Sequence, residues 1–161
     1  MMNNRLNISL IEIGAPLPDW LLEPINEGQT LPTPKDYQGT PLLILFFSLG
    51  CPGCLGRAIP YANRVVYENG ERINVLGIHT NFEGVDFDAA YFEKAKEEFY
   101  IRFPIFKDYN YDTTCLNYGA GGTPHWILVD EEGKVVYSIF GSDPNNGLLR
   151  LDLKISELLN T

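Results

Sequence analysis

Residues 42–48, Leu-Leu-Ile-Leu-Phe-Phe-Ser, form an unbroken apolar run between Gly39-Thr40-Pro41 and Gly50. Such a run offers no polar side to water, which suits a strand covered on both faces in the middle of a sheet. The next stretch of chain narrows the fold further. Leu55, Ala58, Ile59, Ala62, Val65 and Val66 recur at helical spacing, so the buried strand feeds almost directly into a helix. Pro60 falls inside that pattern and predicts a kink. Between strand and helix stand Cys51-Pro52-Gly53-Cys54.

The rest of the chain repeats the alternation. Ile73–His79 reads as a second strand. Asp86 and Asp88 suit a helix start, with Phe87, Tyr91, Ala95 and Phe99 on one face. A short strand is expected near Phe103–Phe106 and a helical turn around Thr113–Tyr118. Trp126–Val129 and Val135–Phe140 flank Asp130-Glu131-Glu132-Gly133-Lys134, a hairpin signal with Gly133 in the turn. Asn146–Leu159 is leucine-rich at helical spacing and follows Asp143-Pro144, a plausible cap. Pro16, Pro18, Pro24, Pro32, Pro34 and Gly39 break any period, so about the first 40 residues read as an irregular lead-in. The expected architecture is one α/β domain over residues 1–161, a central mixed β-sheet flanked by helices.

Composition limits the function. Of 161 residues, 45% are hydrophobic and 12% aromatic, the profile of a folded chain rather than a disordered one. A formal charge of −9 repels phosphate backbones and anionic headgroups, and no basic run offsets it, so neither nucleic acid nor a membrane is an expected partner. The longest apolar stretch is far too short to span a bilayer. From Met1 to Asn4 and onward nothing resembles a secretory leader, so the chain as it stands reads as cytoplasmic; an extracytoplasmic protein trimmed of its leader reads the same.

The chemistry is carried by the cysteines at 51 and 54. With Cys51 at the helix N-cap, the free amides of Gly53 and Cys54 point at its sulfur and the helix dipole favours a thiolate there. Pro52 then takes the first helical position, where its missing N–H costs nothing. Cys54 lies one turn on, placed to close a disulfide after Cys51 has attacked. The other reading of such a pair is a metal clip, but zinc normally takes four ligands. The spare donors Cys115, His79 and His125 show no ligand spacing, and neither a metal nor another cofactor is expected.

Three stretches, Leu42–Cys54, Phe103–Asp108 and Tyr118–Lys134, together with the Gly14-Ala15-Pro16 lead-in and the element order, resemble the thioredoxin superfamily, and within it the TlpA/ResA-like thiol–disulfide oxidoreductases. The resemblance covers most of the chain. It implies a thioredoxin-like fold, with Cys51 and Cys54 as the redox couple acting on protein or small-molecule disulfides. It also implies a cis bond at Thr123-Pro124 facing the cysteines, with the Thr123 backbone exposed to pair with an extended partner. Several positions depart from the family pattern. Gly50 replaces the usual tryptophan, and Pro52-Gly53 reverses the usual placement of proline next to the second cysteine. Leu45 stands where thioredoxins keep a buried aspartate, and Arg57 (or Ala58, if the alignment slips by one at Pro60) where the branch keeps an acid. A cation near the thiols and no carboxylate imply an easily formed thiolate and a couple biased toward oxidation.

Other candidates have plainer readings beside them. Cys115 reads as a small buried hydrophobe or an additional resolving thiol. His125 reads as an exposed strand residue or a group tuning Cys51, and His79 carries a weaker version of the same signal. Tyr109 and Tyr111 belong either to a peptide groove or to an exposed loop. A peroxiredoxin is the alternative enzyme; it calls for a proline seven residues and a Ser/Thr three residues before the reactive cysteine, and here Ser48 fits but Ile44 does not. A redox-inert or metal-carrying module is the alternative outside enzymes.

Overall fold

The computed structural model describes residues 11–160, so the reading of the N-terminus over Met1–Asn4 lies outside it. Six strands form one sheet: β1 (Leu22–Glu23), β2 (Leu42–Phe47), β3 (Asn74–His79), β4 (Ile105–Asp108), β5 (His125–Val129) and β6 (Val135–Phe140), in the order β1-β4-β3-β2-β5-β6. β2 pairs parallel to β3 and antiparallel to β5, while β1 and β6 run antiparallel at the two edges. The sheet is therefore mixed. Among the described residues the helices are α1 (Ile59–Asn69), α2 (Ala89–Glu98), α3 (Thr113–Asn117) and α4 (Gly147–Leu159), and none is long and apolar enough to cross a membrane.

Every residue of β2 is buried, as its unbroken apolar run requires. Alternation sends Leu43, Leu45 and Phe47 to one side, where they meet Ile59, Ala62 and Val65 of α1, Phe92 of α2 and Leu151 of α4. Leu42, Ile44 and Phe46 meet Leu17, Trp20, Cys115 and Tyr118 on the other. One strand thus stitches two cores together.

Four local readings are revised. The lead-in is less irregular than its prolines suggest: Leu22 and Glu23 form β1 against Asp108 and Lys107, and the Gly14 and Leu17 amides donate to Val135 and Gly133 carbonyls. On α2 the inward positions are Phe92 and Ala95, and Tyr91 is exposed, because the Asp88 carboxylate caps the Tyr91 amide and thereby sets the helix phase. Asp143 caps the Asn145 amide in the turn before α4 rather than the helix itself, whose N-cap is Asn146. Around Pro60 the chain forms a π-helical turn, Cys54–Ala58, instead of a simple kink. A proline ring clashes with the carbonyl four residues back, and a turn widened by one residue relieves that clash.

Where β3 passes between β2 and β4 the packing allows no side chain. A Cβ added at Gly77 would lie 2.8 Å from Phe103, 2.9 Å from Ile105 and 3.0 Å from Phe47. All three neighbours are buried ring or branched atoms with little freedom to move. Gly77→Ala is therefore expected to destabilise the fold by roughly 1–3 kcal/mol. Urea denaturation against the parent checks this, and an unchanged midpoint counts against the packing described.

Candidate functional site

The site forms where β2 ends. Three successive amides after that strand are fixed: the Leu49 N–H donates to His79 Nε2 at 3.0 Å, the Gly50 N–H to Ser48 Oγ at 3.1 Å, and the Cys51 N–H to the Ser48 carbonyl at 3.1 Å. Helical backbone then begins at Pro52. Cys51 stands at the entry, its carbonyl accepting from the Cys54 and Leu55 amides, each at 3.1 Å. Of the two amides expected to face its sulfur, that of Cys54 makes the contact, at 3.3 Å.

A second segment reaches the same sulfur from 72 residues away: the Cys51 thiol donates to the Thr123 carbonyl at 3.6 Å. The Thr123–Pro124 peptide is cis. Pro124 is buried, and its carbonyl accepts the Gly141 N–H at 2.8 Å, while the Gly141 carbonyl accepts from the Trp126 indole at 2.9 Å. Gly53 is in close contact with this segment, since a Cβ there would lie 3.2 Å from Ser142 Oγ and 4.0 Å from Pro124 Cδ. Cys51, Gly53, Cys54, Thr123 and Pro124 are thus brought together. Arg57 is exposed and lines a groove with Pro124, and the hydrogen bonds described at the Cys51 sulfur are to Thr123 and the Cys54 amide.

The two sulfurs differ. Cys51 is half-buried and Cys54 wholly buried, and all three cysteines are free. Burial first, then a hydrogen bond to the Cys51 sulfur, pushes the Cys54 thiol far above its ordinary range. Leu45, opposite Gly77 and Trp126, places hydrocarbon where a buried acid would stand. Among the described residues no carboxylate touches either sulfur, and no group of three or more His, Cys, Asp or Glu is placed to share a metal ion.

Cys115 is fully buried in the second core, where burial and then the nearby Asp108 push its thiol up to about 12. Asp108 is the buried acid of the Phe103–Asp108 stretch. It accepts the Thr114 and Cys115 amides at 2.7 and 3.0 Å and the Thr80 hydroxyl at 3.1 Å, tying β4 to α3. Tyr111 is exposed and donates to Asp86 at 2.7 Å, and Tyr109 is exposed beside it.

The histidines correct the sequence reading. His125 is buried on the sheet face away from α1, bonded through Nε2 to Ser138 Oγ at 2.8 Å with Nδ1 unpartnered. It is neither an exposed strand residue nor a neighbour of the Cys51 sulfur, because the alternation that turns Trp126 toward α1 turns His125 the other way. His79, the weaker candidate of the two, supports the turn before Cys51 and sits edge-on to Phe47, Phe87 and Phe92. A histidine ending a buried strand is the signal that points to it; which amide it accepts depends on the fold.

A family model for the AhpC/TSA family matches residues 13–138. The chain belongs to that family. It is 28% identical over 134 residues to the thiol–disulfide oxidoreductase ResA of Geobacillus thermodenitrificans strain NG80-2, covering 82% of this chain and 71% of that protein. Among solved structures, a thioredoxin-like superfamily protein shares 27% identity with a TM-score of 0.78, over 91% of this chain and 97% of its own. A thiol–disulfide isomerase from Corynebacterium glutamicum shares 25% with a TM-score of 0.73, over 88% and 96%. The fold is thioredoxin-like, and the protein is a homologue of thiol–disulfide oxidoreductases.

Burial pulls both His79 and His125 down to about 4, with Lys107 adding to the effect at His79. A histidine depressed in the fold binds its proton more readily when unfolded, so its stabilisation is complete above about pH 6.5 and is lost as pH falls toward 4. Each accounts for a loss on the order of 3 kcal/mol when titration is complete. Asp108 acts in the opposite sense: burial raises it to about 6, so its protonation favours the fold as pH falls from 6 toward the ordinary carboxylate range. The two histidines outweigh it. Urea denaturation is expected to show net loss of stability from pH 6.5 to 4, and a flat or rising profile contradicts the placement of both rings.

Proposed function

We propose that this protein is a thiol–disulfide oxidoreductase in which Cys51 attacks and Cys54 resolves, acting on protein disulfides. The observation that carries this reading is the asymmetry of the pair: a half-buried Cys51 sulfur that receives the Cys54 amide, beside a buried Cys54 held as a thiol. The thiolate form of Cys51 attacks one sulfur of the partner's disulfide, forming a mixed disulfide and releasing the other sulfur as a thiolate. Cys54 then attacks the Cys51 sulfur, and its proton passes to the second departing partner sulfur. The first released thiolate takes up the proton that Cys51 gave to solvent on ionising, so the partner leaves as a dithiol and the protein as a Cys51–Cys54 disulfide; the reverse sequence oxidises a partner. Thr123 and Pro124 form the wall against which the partner chain lies while this happens. Peroxide reduction is not favoured, since Ile44 is buried in β2 where that chemistry calls for a proline.

Cys51→Ser is expected to lower insulin-disulfide reduction more than a hundredfold. Cys54→Ser is expected to retain attack without release and to accumulate adducts that run as mixed disulfides on non-reducing gels and collapse with dithiothreitol. If Cys54 is instead alkylated first in the parent protein, the two roles are reversed.

Cys115→Ser is expected to change the turnover rate less than twofold, because that thiol lies in the core on the far face of the sheet from Cys54. A loss above tenfold in a folded variant assigns it a part in resolution.

A further inference from the structure

Beside the dithiol runs an open groove of about 620 Å3 whose lining includes Arg57, Pro124, Ile139, Phe140, Asp143 and Arg150. It is continuous with the reactive turn, because the Ser142 hydroxyl and the Pro124 ring pack directly on Gly53. Pro124, Ile139 and Phe140 give it an apolar part. Phe140 is 59% exposed, and its ring lies over Gly122, where an added Cβ would meet it at 3.0 Å. An aromatic ring left in water in a groove that Pro124 also lines provides contact area for an incoming chain.

The charges along this groove oppose those of the molecule. The chain carries −9 overall, yet two arginines border the groove, one on the turn after the dithiol and one on α4. Both are exposed, and neither forms an ion pair among the described residues, whereas Arg64 pairs with Glu68 and Asp152. The carboxylate here, Asp143, accepts the Asn145 amide at 2.8 Å. Unpaired guanidinium groups next to an apolar shelf suit carboxylates carried on an extended chain.

We propose that the groove docks an extended protein segment with acidic side chains flanking the disulfide that Cys51 attacks, Arg57 and Arg150 receiving the carboxylates and Phe140 the intervening apolar residue. This rests on the oxidoreductase reading above and adds the class of partner to it. The groove is open rather than enclosed, which suits a peptide lying across it better than a buried small molecule.

The test uses the reduced full-length protein in single turnover at about 0.15 M salt, where screening within about 8 Å suppresses the repulsion of the whole molecule but spares contact pairs. Two eight-residue peptides, each linked to a copy of itself by one disulfide, carry glutamate or lysine beside the cysteine; oxidised glutathione serves as the small anionic disulfide. In each case the peptide disulfide is reduced to two thiols as Cys51 and Cys54 become a disulfide. The glutamate peptide is expected to react roughly fivefold to tenfold faster than the lysine peptide, the effect of two exposed charge contacts. Arg57→Glu with Arg150→Glu is expected to reverse that order. Lys35→Glu with Lys134→Glu, which changes the net charge equally but lies away from the groove, is expected to keep it. Equal rates for the two peptides, or a reversal by the control pair as well, overturn the proposal. So does an arginine dependence confined to glutathione. Failure of the parent to react with any of the three disulfides overturns the oxidoreductase reading itself, and this proposal with it.

Discussion

The central strand of this protein has no side facing water. β2 is buried along its whole length, hydrogen-bonded to β3 on one edge and β5 on the other, and packed under α1, α2 and α4 on one face and under the lead-in and α3 on the other. Its end is therefore one of the best-fixed points in the molecule. The three amides after it are satisfied by Ser48 and His79, so the turn that presents Cys51 inherits that rigidity. A sulfur so placed needs little reordering when it attacks, which is how a scaffold supports nucleophilic chemistry. The antiparallel neighbour β5 does the rest, because its first residue comes directly after Pro124 and so brings Thr123 to the same sulfur.

The division of labour between the two sulfurs comes from one helical turn. Moving from Cys51 to Cys54 takes the chain from the rim of the protein into the core beneath α1. Desolvation works against the charged form, so burial holds the inner sulfur toward its protonated state. On the mechanism proposed above the order of events depends on depth, and among the described residues no carboxylate hydrogen-bonds to either sulfur. On that mechanism, with hydrocarbon at Leu45 beneath the site, the departing partner sulfur is itself the acceptor for the resolving proton.

The main architecture is legible in the sequence because its strongest signals are local. An unbroken apolar run, a helical period and a turn of the type Asp130–Lys134 each need a dozen residues or fewer, and β2, α1 and the β5–β6 hairpin all stand where those signals put them. The two cysteines are legible for the same reason. The features that local pattern does not show depend on distant partners. Two residues at Leu22–Glu23 have no strand signal of their own and become β1 through pairing with Asp108 and Lys107. The π turn arises from a conflict between Pro60 and the turn before it. His79 becomes a support for Leu49 because β2 and β3 lie side by side in parallel register, and His125 is buried by the pleat of its strand rather than by its polarity.

Charge acts at two ranges in this molecule, and the two oppose each other. Before contact, an approaching partner meets the field of a chain carrying −9, which salt confines to about a Debye length, some 8–10 Å in ordinary buffers. That field slows the encounter with any acidic protein. Within contact distance the partner meets Arg57 and Arg150 beside Pro124, and the local sign is reversed. Repulsion at long range and attraction at contact select on different quantities, the first on total charge and the second on where the carboxylates lie along the chain. An acidic segment carried by a protein of low net charge satisfies both, whereas a uniformly acidic protein is slowed before its segment reaches the groove. Discrimination among partners then comes from rejection as well as fit, which is how specificity is commonly obtained when contacts at a shallow groove are individually weak.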